Sequence, residues 1–267
     1  MTAVDTARQP AGPQHATARA PQRSAVPLHR LIVVELRKLA DTRAGLWLLI
    51  VIALAAAATV VILLFAADAE QQTFVEFFTF AQLPSAVLLP VLGILSVTSE
   101  WSQRTALTTF TLVPERGRVL TAKLIAAVLI AVLALGANGL FAVVGNAIAS
   151  ATGGDGSWTL GGDMLVQALV LQVVLVLMGY GFGALLLNSP VAIVLYFALP
   201  TVWSILAGLV KTLRTAAGWL DINQTTTPLS EPAMTGDEWT RLGVSVLVWV
   251  VVPLVVGWFR VLRREVA

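Results

Sequence analysis

Cysteine is absent from this 267-residue chain. That removes disulfides, thiolate nucleophiles, iron–sulfur clusters and thiolate metal sites together. Histidine is nearly absent as well. His15 and His29 both precede the first long apolar run, so an H-E-x-x-H zinc site inside a membrane helix is excluded. Three lysines occur, Lys38, Lys123 and Lys211, and none follows a glycine. A phosphate-cradling loop needs Gly-Lys-Ser/Thr, and no soluble stretch is long enough for a nucleotide-binding domain. The chain is therefore expected to be no enzyme, with no catalytic, cofactor-binding or metal-ligating residues of its own. Charge of either sign is scarce too. Only 12% of residues are charged and 57% are hydrophobic, whereas soluble domains carry about 25% charge.

What is abundant is apolar sequence in long runs. Six of them are long enough to cross a hydrocarbon core of about 30 Å as helix. They are placed at about Leu46–Ala66, Phe77–Ser99, Val119–Ser150, Met164–Leu187, Val191–Val210 and Leu242–Phe259. Backbone facing lipid must satisfy its own hydrogen bonds, so all six are expected as helices. Pro84 and Pro90 are expected to bend the second. The fold class expected is all-α, a polytopic membrane protein with six transmembrane helices and an amphipathic interfacial helix before the first.

Residues 1–27 are rich in Ala, Pro, Gln, Thr and Arg and lack apolar periodicity, which predicts a disordered tail. It does not read as a secretory signal, since the first long apolar run begins only at Leu46. Residues 28–43 follow a helical pattern. Leu28, Leu31, Ile32, Leu36 and Leu39 fall on one side, and Arg30, Arg37 and Asp41 on the other. Such a helix is expected along the membrane interface; the alternative is a frayed extension of the first span.

Charge placement sets an expected orientation. With the amino-terminal tail in the cytoplasm, the inner segments hold 14 of the 17 Lys and Arg residues and 6 of the 15 acids. The positive-inside rule favours this arrangement, with both ends in the cytoplasm and residues 211–241 as the largest external loop.

Titratable groups at mid-membrane depth usually mark function, and the middle of each run is free of them. Glu76, Glu100 and Lys123 lie at or beyond the edges. This argues against an intramembrane protease and against an ion-coupled pump. Uncharged polar groups do occur at depth: Asn138 and Asn146, eight residues apart on one helical face, and Gln167 and Gln172. They either line a solute path or bond helix to helix. Gly179, Gly181 and Gly183, in "GYGFG", have the small-xxx-small spacing of close helix packing; a hinge is the other reading.

The segment 99–123 between the second and third runs is rich in Thr and Arg. It can present one short helix, about Gln103–Thr111, before Pro114 breaks the chain. Physics alone allows either a solvated connector or a docking element for a soluble partner.

Three features together resemble the permease subunits of type-2 ABC transporters in their compact bacterial form. They are the basic lead "VELRKLADTRAGLWLL" (Val34–Leu49), the stretch Glu100-Trp101-x-x-Arg104-Thr105 followed by Pro114, Arg116 and Lys123, and six spans with the largest external loop before the last. The resemblance covers about Leu28–Arg264. It implies a permease domain over residues 28–267, with 28–43 as the connecting helix and 99–123 as the coupling loop. It also implies a plasma-membrane location and a second permease copy, as homodimer or paralogue. ATP and magnesium would sit on a separate ABC-type ATP-binding subunit, contacted by Glu100, Arg104, Thr105, Glu115 and Arg116. Asn138, Asn146, Gln167 and Gln172 are the candidate translocation path. The short turn Leu185–Ala192 would be a second cytoplasmic loop. The cargo implied is an unidentified antibiotic, lipid or peptide; nucleic acid is not an expected partner. The alternative is a non-transporting assembly, sensing or immunity protein on the same frame.

Overall fold

The computed structural model describes residues 26–103, 105, 107, 111, 115–231 and 233–264. Nearly all of the expected tail lies outside these residues, as do Arg104, Pro114 and most of the short helix expected at 103–111. Among the described residues every regular element is helical. The order is α1 (Leu28–Asp41), α2 (Arg43–Ala66), α3 (Phe74–Ser102), α4 (Arg116–Thr152), α5 (Gly162–Leu186), α6 (Ser189–Leu209), α7 (Lys211–Leu220), α8 (Ile222–Thr226), α9 (Gly236–Val246) and α10 (Val252–Arg263). A π-helical turn, Leu247–Val251, fuses α9 and α10 into one helix. Helices α2, α3, α4, α5, α6 and Gly236–Arg263 are each long and apolar enough to span a membrane. The protein is an all-α, multi-pass membrane protein.

Each apolar run forms one helix because a run with no polar face satisfies its backbone only internally. The ends follow local chemistry. The Thr42 side chain accepts from Gly45 N at 3.2 Å and starts α2 one residue after α1 stops. A Cβ on Gly45 would collide with Leu39 O, so this tight corner needs glycine. The left-handed Leu187 ends α5, and the Asn188 side chain accepts from Val191 N to begin α6. A capping box between Thr235 and Glu238 opens α9.

Helix α5 is central. Gly179 and Gly183 lie against the backbone of Pro90 and Ile94 on α3, and Gly181 lies against Leu254 of α10. A Cβ at Gly181 would stand 3.0 Å from Leu254 N. The "GYGFG" run therefore packs two neighbours on two faces, which is the packing reading of its spacing.

Residues 211–241 differ from the loop expected there. They fold as α7, α8 and the start of α9, set against α6 and one another. The buried Asp221 begins α8, accepting from Asn223 N at 3.0 Å and from Ser204 Oγ of α6 at 2.9 Å. No long apolar run marks these residues, because short helices lying on a bundle need only a few anchoring side chains.

Candidate functional site

Where α1, the end of α3 and the beginning of α4 converge, four charged side chains meet. Glu35 Oε2 accepts from Lys123 Nζ at 2.7 Å, and Glu35 Oε1 accepts from Lys38 Nζ at 2.8 Å. Glu100 Oε1 lies 3.0 Å from Lys38 Nζ and 3.1 Å from Lys123 Nζ. Lys123 also donates to Ser96 O at 2.9 Å. Its ammonium thus has three acceptors for three protons. Glu35, Glu100 and Lys123 are buried, while Lys38 is open on one side. Burial pulls the Lys38 ammonium below its ordinary value, but Glu35 and Glu100 outweigh it and hold the group above.

Removing the three buried charges from water costs several kcal/mol per ion, repaid only by close geometry and full hydrogen bonding. The cluster is therefore weak grounds for added stability, but losing one member would leave a buried charge uncompensated. Residues 88 positions apart in sequence are locked together by Glu35 and Lys123.

Three arginines gather at the same end of the bundle. Arg116, in the first turn of α4, donates to the carbonyl oxygens of Val261 (3.3 Å), Leu262 (3.4 Å) and Arg264 (2.5 Å), at the end of α10. Free carbonyls and the negative end of the helix dipole favour a cation there. The Arg260 guanidinium donates to Leu185 O near the end of α5. Arg264 lies over the Trp101 ring at 5.0 Å.

The expected partner-contact residues thus have different surroundings. Glu100 is turned inward to the lysines, and Arg116 is engaged with α10. Thr105 is exposed, its N–H bonded to Glu100 O at 2.9 Å. Glu115 is exposed and paired with Arg118 at 3.1 Å. Arg104 lies outside the described residues.

The four amides proposed for a path are all buried. Asn138 donates to Ser85 Oγ of α3 at 2.9 Å. Asn146 donates to Gly156 O (3.0 Å) and Ser157 O (3.2 Å), fastening the α4–α5 connection. Gln167 serves Asp163 O and Met234 N, each at 3.2 Å, with its amide nitrogen toward the carbonyl. Gln172 is fully buried, with no partner for either amide atom among the described residues. The first three join parts of this chain; Asn138 also borders an apolar groove of about 400 Å³ flanked by Leu49, Ile52 and Leu133.

Of the four cluster residues, Glu100 alone stands among the site residues expected from the sequence, and Glu35 is the one that sits on an unexpected face of its helix. Its one signal is an acid in the middle of the apolar side of α1, between Leu31 and Leu39 on the helical wheel. An acid there needs a cation from elsewhere, and Lys123 supplies it.

Beside the cluster lies a cavity of about 750 Å³, bounded by α1, the first turn of α2, α3 and Ser189 of α6. No protein-family model matches this chain, and no curated protein matches it either.

Proposed function

We propose that this chain is the membrane-spanning subunit of an ATP-driven exporter of the type-2 ABC permease class. Six apolar helices are compatible with a transporter subunit. The observation that carries the finer reading is the charged cluster. It ties α1 to both helices that bound residues 103–115, so force applied to that segment reaches three elements at once. A separate ATP-binding subunit, holding ATP and magnesium, would press on this end from the cytoplasm. The charge asymmetry supports the same side, with both termini inside a cell membrane. In this reading Glu100 roots the segment from within, and Thr105 and Glu115 face the partner.

One observation favours a narrower version. Three of the four amides at depth, Asn138, Asn146 and Gln167, bond to other parts of this chain, which favours a path for cargo between two permease copies rather than through one. A non-transporting assembly or immunity protein would share that feature.

Co-expression with an ABC-type ATP-binding subunit tests the proposal. The two are expected to co-purify, with ATP hydrolysis by the complex and none by this chain alone. Ser230→Cys should react with an impermeant reagent on intact cells, and Arg263→Cys should not. Hydrolysis that follows this chain alone through purification, or the opposite labelling pattern, overturns the reading.

A further inference from the structure

We propose that the cavity beside the charged cluster binds a phosphate group, carried by an anionic phospholipid of the adjoining leaflet or free in solution. Its lining holds three cations, Lys38, Arg43 and Lys123, against two carboxylates, Glu35 and Glu100. Both carboxylates are already held by lysines, and Lys123 has no donor left. Lys38 has two acceptors for three protons, and its side chain is 41% exposed. Arg43 forms no ion pair among the described residues and is exposed. The site therefore offers unused positive donors and no unneutralised acid, a balance that selects an anion. Arginine's fork suits phosphate in particular.

The shape favours the lipid source. Along α3 the wall changes from Leu92 and Leu95 to Ser99 and Ser102. Arg43 begins one span and Ser102 ends another, so the change falls at the ends of the apolar helices. A headgroup at Lys38, Arg43 and Ser99 would leave its chains beside the leucines. The volume, about 750 Å³, holds a phosphoglycerol headgroup with room for water.

The site does not depend on the exporter reading, and its test needs no ATP-binding subunit. Full-length protein is placed in nanodiscs of phosphatidylcholine alone or with added phosphatidylglycerol. Lipid kept after detergent transfer is counted by native mass spectrometry, and thermal unfolding is followed in parallel. Inorganic phosphate forms a separate arm. Phosphatidylglycerol is expected to be retained in preference to phosphatidylcholine and to raise the unfolding temperature. Arg43→Gln and the cavity-filling Ser99→Leu leave the four-charge cluster intact, and each should lower retention by about tenfold. Arg43→Lys should recover part of it. If inorganic phosphate alone gives the variant-dependent shift, the site takes the free ion and the phosphate chemistry stands. Equal retention of both lipids by the parent and both variants, with no response to phosphate, overturns the proposal.

Discussion

The two ends of the bundle are fastened by different chemistry. At the α1 end, buried ions join helices: Glu35 to Lys123, and Glu100 to both lysines. At the opposite end, the α2–α3 and α4–α5 connections are held by neutral groups. Asn146 reaches Gly156 and Ser157, Phe74 N donates to Ser157 O at 3.0 Å, and Asp155 N donates to Ala69 O at 2.9 Å. Phe74 and Trp158 stack across the same junction at 5.8 Å. A neutral hydrogen bond is worth only about 0.5–1.5 kcal/mol net. Ion clusters tolerate one arrangement and become costly when a member is missing. The α1 end is thus the one where shape is specified most strictly, and it borders the segment proposed to meet a partner.

The largest effect is expected for Lys123→Met. It leaves Glu35 and Glu100 buried with one half-exposed lysine between them, a loss of about 3–5 kcal/mol. Unfolding of the purified protein in nanodiscs measures it. The double variant Glu35→Leu with Lys123→Met keeps the Lys38–Glu100 pair and should regain most of the loss. Without that recovery, the cluster is not the reason for the cost. Asn146→Ala should cost less, about 1–2 kcal/mol for two bonds to carbonyls. Limited proteolysis should then cut near Gly153–Ser157 sooner than in the parent. A cost equal to that of Lys123→Met would erase the contrast between the two ends. Arg118→Gln sharpens it from the other side. Its pair with Glu115 is solvated, so about 0–1 kcal/mol is expected even though it sits at the charged end. A larger loss would mean that position along the bundle, rather than burial, sets the cost.

The spans were legible because each is an uninterrupted apolar run, and such runs have no other way to satisfy their backbone in lipid. Their ends moved by a few residues, since polar caps such as Thr42 and Thr73 extend helices past the apolar part. Helices α7 and α8 were not legible. Lys211–Leu220 has an amphipathic pattern, but it is one of many short polar–apolar mixtures in a stretch that reads as loop. The charged cluster was partly visible. Glu100 and Lys123 stood out as edge charges, yet nothing local pairs residue 35 with residue 123. Only the misplaced acid on the apolar side of α1 pointed to it. For the amides, spacing put Asn138 and Asn146 on one face but could not say whether that face met a helix or a path.

The π-helical turn in the last span has a consequence for register. Residues before it, in α9, face α7 and α8; residues after it place Pro253 and Gly257 against α5. A wide turn of this kind holds one residue more than an α-helix needs to connect the same two flanks. Deleting one residue within Leu247–Val251 would let that turn close into ordinary helix while both flanks keep their facing. Deleting Val255 instead would rotate the remainder of the helix by about 100°, swinging Gly257 away from α5 and Arg260 away from Leu185. The last span thus carries a spare residue at one place along its length, and that is where the chain can be shortened without being turned.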